Sequence, residues 1–311
     1  MQRVKKLKYQ ANCLIFMFIG WIPLTFASAL VDLNWLQTKL GKPNVVILDV
    51  GSSSLGEYLQ GHIPGAIYSD FKIKEVWRVT NKAGVIETLP ARRHLEKLIG
   101  SFGINNASEV IIVPSGANAS DMAIAARIYW TFKMAGRDNI SILDGGLAAY
   151  VADKKNPLEQ GETLPEIKVF TAKMRTDIIA TREMVKAALH NKNVQLLDLR
   201  PSDFYAGITR SSKNKAAGTI PGAKNLPVTW LTEDNGGKMR SVAELKKLYE
   251  VANISAEGEQ ITFCITGQWA SLGWFVASEM LGNKKARLYD GSMADWTHDL
   301  SLPVERKVVL K

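Results

Sequence analysis

Cysteine is almost absent from this chain: there are two among 311 residues, Cys13 and Cys264. The four histidines, His62, His94, His190 and His298, are dispersed and form no ligand spacing with Cys264, so no metal site and no cofactor is expected. Lys and Arg outnumber Asp and Glu by 39 to 30, yet no basic stripe interleaved with aromatics occurs, which argues against nucleic acid as a partner. The low hydrophobicity of a disordered chain is also missing. Hydrophobic residues make up 46% and charged residues 22%, enough apolar side chain for proper cores. The length suggests about two domains.

Acidic residues are missing altogether from the first thirty positions. Arg3, Lys5, Lys6 and Lys8 form a basic stub, an apolar stretch runs from Ala11 to Phe26, and Ala27-Ser28-Ala29 closes it. Basic, then apolar, then small-x-small is the order of a secretory signal peptide, here residues 1–29 with cleavage after Ala29. Gly20 and Pro23 interrupt the run, which is short for a membrane span, so no stable anchor is expected after cleavage. Cleavage removes Cys13 and four basic residues, leaving 35 basic against 30 acidic and a net charge of +5. The expected location is periplasmic or secreted. A lone cysteine in such a compartment forms no internal disulfide and is either buried and inert or reactive. A mildly positive surface favours small anionic substrates.

One plan occurs twice. In the first copy a helix-like stretch, Asp32 to Leu40, precedes a strand from Val45 to Leu48 that ends in Asp49. Gly61-His62-Ile63-Pro64-Gly65-Ala66 follows, then a strand from Val110 to Val113, a helix from about Met122 to Ala135, and a strand from Ile140 to Leu143 ending in Asp144-Gly145-Gly146. In the second copy a strand from Val194 to Leu197 ends in Asp198, and Gly218-Thr219-Ile220-Pro221-Gly222-Ala223 follows. A strand from Gln260 to Phe263, a helix from about Ala270 to Leu281, and a strand from Ala286 to Tyr289 before Asp290-Gly291-Ser292 complete it. Short apolar strands alternating with helices predict an α/β fold of two domains, each a mostly parallel sheet with helices on both faces. The expected domains are 30–152 and 171–311, joined by a charged linker over 153–170.

Ligands of open parallel sheets bind beyond the carboxyl ends of the strands, and there the copies differ most. One strand runs into Cys264-Ile265-Thr266-Gly267-Gln268-Trp269-Ala270, its twin into Pro114-Ser115-Gly116-Ala117-Asn118. Cys264 follows a buried strand and precedes a tight loop in which Gly267 can adopt a conformation closed to other residues. Loop amides and the following helix N-terminus should aim at the sulfur, lower its pKa and cradle an anion. Trp269 is expected either to cover the sulfur or to pack between domains.

These fragments together resemble the two-domain rhodaneses, sulfurtransferases acting on thiosulfate or 3-mercaptopyruvate. The resemblance rests on Leu48-Asp49-Val50, Gly61 to Ala66, Leu143 to Leu147, Leu197 to Arg200, Gly218 to Ala223, Cys264 to Ala270, and Leu288 to Trp296. It implies a ping-pong cycle in which the Cys264 thiolate takes a sulfane sulfur from a small anionic donor as a persulfide. A thiol or cyanide acceptor then removes that sulfur. It also implies that the first domain is non-catalytic and walls the cleft. The loop departs from the Cys-Arg-Lys-Gly of thiosulfate enzymes and the Cys-Gly-Ser-Gly of mercaptopyruvate enzymes: Ile265, Thr266, Gln268 and Trp269 supply no positive charge. Arg200 is therefore the expected substrate-binding cation, with Arg210, Lys213 and Lys215 as further candidates. A cysteine phosphatase would need an Arg at the loop's far end, where Ala270 and Ser271 stand. The alternative from another class is a non-enzymatic persulfide carrier or binding protein in the exported compartment, its protein partner unknown.

Overall fold

The computed structural model describes residues 28–51 and 54–310. The apolar stretch from Ala11 to Phe26 lies outside them.

The first domain runs β1 (Leu30–Val31), α1 (Leu33–Lys39), β2 (Val45–Asp49), α2 (Leu55–Gln60), β3 (Ala66–Tyr68), α3 (Arg92–Ser101), β4 (Glu109–Val113), α4 (Ala119–Met134), β5 (Ile140–Leu143) and α5 (Gly146–Ala152). The second repeats the order as β6 (Ile179–Ala180), α6 (Arg182–Ala188), β7 (Val194–Asp198), α7 (Ser202–Ala206), β8 (Lys224–Asn225), α8 (Val242–Val251), β9 (Glu259–Phe263), α9 (Gln268–Phe275), β10 (Ala286–Tyr289) and α10 (Ser292–Trp296). Each domain has a five-stranded sheet, ordered β1-β5-β4-β2-β3 in one and β6-β10-β9-β7-β8 in the other, and every pairing is parallel. Strands such as Val46 to Asp49 and Val110 to Val113 are buried along their length, as helices on both faces require.

Local chemistry sets the helix starts. Asp32 accepts the Trp35 amide ahead of α1, and Ser241 forms a capping box ahead of α8. Asn118 and Asp121 form another, so α4 begins at Ala119, three residues before its predicted start at Met122. α9 also starts earlier than expected, at Gln268, and continues past Phe275 as a π-helical turn from Val276 to Met280.

Beyond α5 the chain stays against the first domain. His62 and Glu159 pair through their backbones, Lys168 donates to the Gly100 carbonyl (3.0 Å), and Phe170 and Ala172 are buried. The two domains share a continuous apolar core in which α4 faces α9, with the Tyr129 ring edge-on to Phe275 at 5.0 Å. At the start of the described chain, the Ala29 carbonyl accepts the Ile142 amide (2.8 Å), which adds a bond to the β1–β5 edge.

Candidate active site

Cys264 stands directly after β9, an inner strand of the second sheet, with its backbone pinned on both sides. Its amide donates to Ser292 Oγ (3.0 Å), whose hydroxyl donates to the Tyr289 carbonyl (2.9 Å). Its carbonyl accepts the Met293 amide (3.1 Å), and the Ile265 carbonyl accepts that of Ala294 (2.9 Å). α10 thus holds the loop rigidly from beneath.

Gly267 turns the loop into α9 with φ of +85°, and a Cβ there would lie 2.5 Å from the Asp290 carbonyl oxygen and 2.7 Å from Arg127 Nη1. Only glycine fits both the left-handed conformation and the space. α9 has no side chain capping its start, so its first amides remain available. The Ala270 amide of its first turn and the loop amides of Thr266 and Gly267 reach the Cys264 sulfur.

The thiol is nonetheless not acidified overall. Burial pushes it up, the three amides pull it down, Asp198 adds to the rise, and the net direction is upward from the ordinary 9.0. This corrects the expectation of a lowered pKa. Cys264 is 1% exposed, and loss of hydration outweighs the dipoles aimed at its sulfur. The amides remain where an anion on sulfur would use them.

The sulfur lines a cavity of about 260 Å³. Ile265, Thr266, Gln268 and Trp269 line it as well, while Gly267 and Ala270 contribute amides from below. Trp269 both walls the cavity and bridges the domains, donating from Nε1 to Ser120 Oγ (3.0 Å). Ser120 and Glu87 belong to the first domain, Ser211 and Lys213 to the segment after α7. Lys213 Nζ meets Glu87 Oε1 at 2.6 Å, and Arg78 Nη1 approaches the same oxygen at 3.2 Å. Burial works against the Glu87 charge, but Lys213, Thr266 and Arg78 outweigh it and hold the carboxyl below its ordinary range.

Arg200 is placed elsewhere, and the expectation that it meets the donor is corrected. Its Nε and Nη2 bind the Asp198 carboxylate (2.9 Å and 2.5 Å), and Nη2 also donates to the Gly218 carbonyl (2.8 Å). Two residues past its strand, the side chain folds back on Asp198 and is buried with its charge already matched. Arg210 donates to the Asn214 carbonyl and Lys215 to that of His298. Of the four cations considered, Lys213 lines the cavity. Glu87 and Ser120 gave no signal in the sequence, because they reach the sulfur only through domain docking. Among the described residues no group of three His, Cys, Asp or Glu could hold a metal ion.

The twin loop shows what the anion cradle looks like when the chain fills it. After β4, the Asp121 carboxylate accepts from Ser115 Oγ (2.5 Å) and from the amides of Ala117 and Asn118 (3.2 Å each). In the first domain the loop amides serve a carboxylate of the chain itself, whereas in the second they serve the Cys264 sulfur.

A duplicated parallel α/β fold with one buried cysteine sulfur in an amide cradle defines a class of two-domain proteins. The chain belongs to the rhodanese-like domain family, which matches residues 32–153 and again 181–299. A Mycobacterium tuberculosis protein named "Putative thiosulfate sulfurtransferase" is 31% identical over 285 residues, covering 89% of this chain and 98% of that one. A Mycolicibacterium smegmatis protein of the same name is 29% identical, covering 90% and 98%. SseA from Escherichia coli, a solved structure described among 3-mercaptopyruvate sulfotransferases, superposes with a TM-score of 0.72 at 26% identity over 86% of this chain and 99% of its own. The protein is a sulfurtransferase, with a sulfur donor and a sulfur acceptor as its substrates.

Proposed function

We propose that the protein moves a sulfane sulfur from a small anionic donor such as thiosulfate to a thiophilic acceptor through a persulfide on Cys264. The observation that carries this reading is the position of the sulfur. It is the one thiol among the described residues lining the cavity, and three amides converge on it. The Cys264 thiolate attacks the donor's outer sulfur, the donor's S–S bond breaks, and its electron pair leaves with the sulfite-like fragment. The amides of Thr266, Gly267 and Ala270 then hold the persulfide anion. Lys213 faces the donor's negative charge once Glu87 yields it. The buried Arg127 lies behind Gly267 with its charge matched by Asp290, so it supports the loop rather than the donor.

The relatives named for thiosulfate and the likeness to a 3-mercaptopyruvate enzyme support this donor class. The basic-apolar-small order of residues 1–29 supports export, with cleavage after Ala29. Incubating the purified protein with thiosulfate and cyanide tests the reading. Thiocyanate should accumulate over many turnovers, and Cys264→Ser should abolish it. Product limited to one equivalent would indicate a carrier, and an active Cys264→Ser variant would refute the assignment.

A further inference from the structure

The Lys213–Glu87 bridge has a second cavity on its other side. This space of about 230 Å³ is walled by Lys74, Glu75, Arg78 and Thr80 of the first domain, and it shares Glu87 and Lys213 with the cavity that holds Cys264. The bridge is therefore a partition between two adjoining chambers, with the sulfur in one and charges of both signs in the other.

The second chamber is built for a polar guest. Arg78 lies over Phe71 (4.3 Å to the ring centroid), donates Nη2 to the Phe71 carbonyl (3.2 Å) and pairs through Nη1 with Glu87, which fixes the guanidinium. Its Nε is buried without a partner. Glu75 is tied by one oxygen to the Thr80 amide (3.2 Å). Lys74 is exposed and belongs to no ion pair among the described residues. Cations and a carboxylate side by side suit a group that itself carries both charges. The volume equals that of roughly eight water molecules at about 30 Å³ each, the scale of one amino-acid unit.

We propose that this chamber binds the zwitterionic end of a low-molecular-weight peptide thiol, the acceptor, whose sulfur reaches across the Lys213–Glu87 bridge to Cys264. The proposal rests on the persulfide cycle above. In the acceptor step the thiolate's electron pair forms a bond to the outer sulfur, and the bond from that sulfur to Cys264 Sγ breaks. Its pair returns to Sγ as thiolate, so no external oxidant or reductant takes part. The acceptor's ammonium group meets Glu75, and its carboxylate meets Lys74 and Arg78.

The test is a single-turnover discharge. The whole protein is loaded with thiosulfate and desalted, and intact mass follows loss of the extra sulfur to glutathione, 2-mercaptoethanol or cyanide. Wild type should discharge to glutathione faster than to 2-mercaptoethanol at equal thiolate concentration. Lys74→Glu and Thr80→Trp should each lower the glutathione-to-cyanide rate ratio at least fivefold. An unchanged ratio in both variants, or no preference for glutathione in wild type, overturns the second chamber. Wild type that never gains the sulfur overturns the persulfide cycle itself, and the loading step detects that before any acceptor is added.

Discussion

Asp144 and Asp290 end equivalent strands, and each accepts a backbone amide from the opposite domain. Asp290 Oδ2 takes the Leu89 amide at 2.7 Å, and Asp144 Oδ1 takes the Met239 amide at 2.8 Å. Leu89 and Met239 both lie just ahead of the third helix of their domains, so the duplicated chain clasps itself through a reciprocal pair of contacts. Asp290 additionally pairs with the buried Arg127. The domain interface and the Cys264 loop are consequently one structure, since Arg127 and the Asp290 carbonyl also bound the space at Gly267.

Burial raises the Asp144 carboxyl above its ordinary 3.8, outweighing the Met239 amide and Lys238. A carboxyl raised in the folded state stabilises most below its unfolded pKa, and that contribution is lost as pH rises through the folded value. Asp144→Asn keeps an oxygen for the Met239 amide without the cost of a buried charge. It should raise the melting temperature by roughly 1–3 °C at pH 7, with the gain vanishing below pH 3.8. Thermal scans across pH check this.

Breaking the Arg127–Asp290 pair from one side should be far more costly. Arg127→Met leaves the mostly buried Asp290 without its ion-pair partner, a loss of about 3–5 kcal/mol, readable as a shift of the denaturant midpoint.

Gly267→Ala should disable the loop while the fold survives. The left-handed backbone costs about 1–2 kcal/mol for an L-residue, and the added Cβ meets the Asp290 carbonyl oxygen. The rate of sulfur loading should fall at least tenfold, with far-UV circular dichroism unchanged.

Because burial holds the Cys264 thiol above its ordinary value, little thiolate exists at neutral pH. The single-turnover loading rate should climb close to tenfold per pH unit between pH 6 and 8, without a plateau. A plateau below pH 7 would mean the amides outweigh burial. Lys213→Ala should raise KM for thiosulfate several-fold and leave the acceptor step with cyanide within twofold.

The three longer strands of each domain are legible as mostly apolar runs, and the repeat makes the strand-to-helix loops comparable, whereas the two- and three-residue strands β1, β3, β6 and β8 are too short to carry a pattern. Cys264 stood out by contrast with Pro114 at the equivalent strand end. The placement of Arg200 is not legible in the sequence, because proximity along the chain says nothing of whether Asp198 captures the guanidinium first. Glu87 lies between β3 and α3, in a stretch whose placement beside Lys213 depends on docking two domains. The thiol's pKa depended on how completely the sulfur is enclosed, which no spacing reveals.

The most direct measurement is the intact mass of the protein after thiosulfate treatment and desalting, compared with Cys264→Ser. Wild type should gain the mass of one sulfur, lose it on addition of cyanide with release of thiocyanate, and regain it with fresh thiosulfate, whereas the variant gains nothing. An equal gain in the variant, or thiocyanate formed by wild type with no sulfur ever carried on the protein, would contradict a persulfide on Cys264.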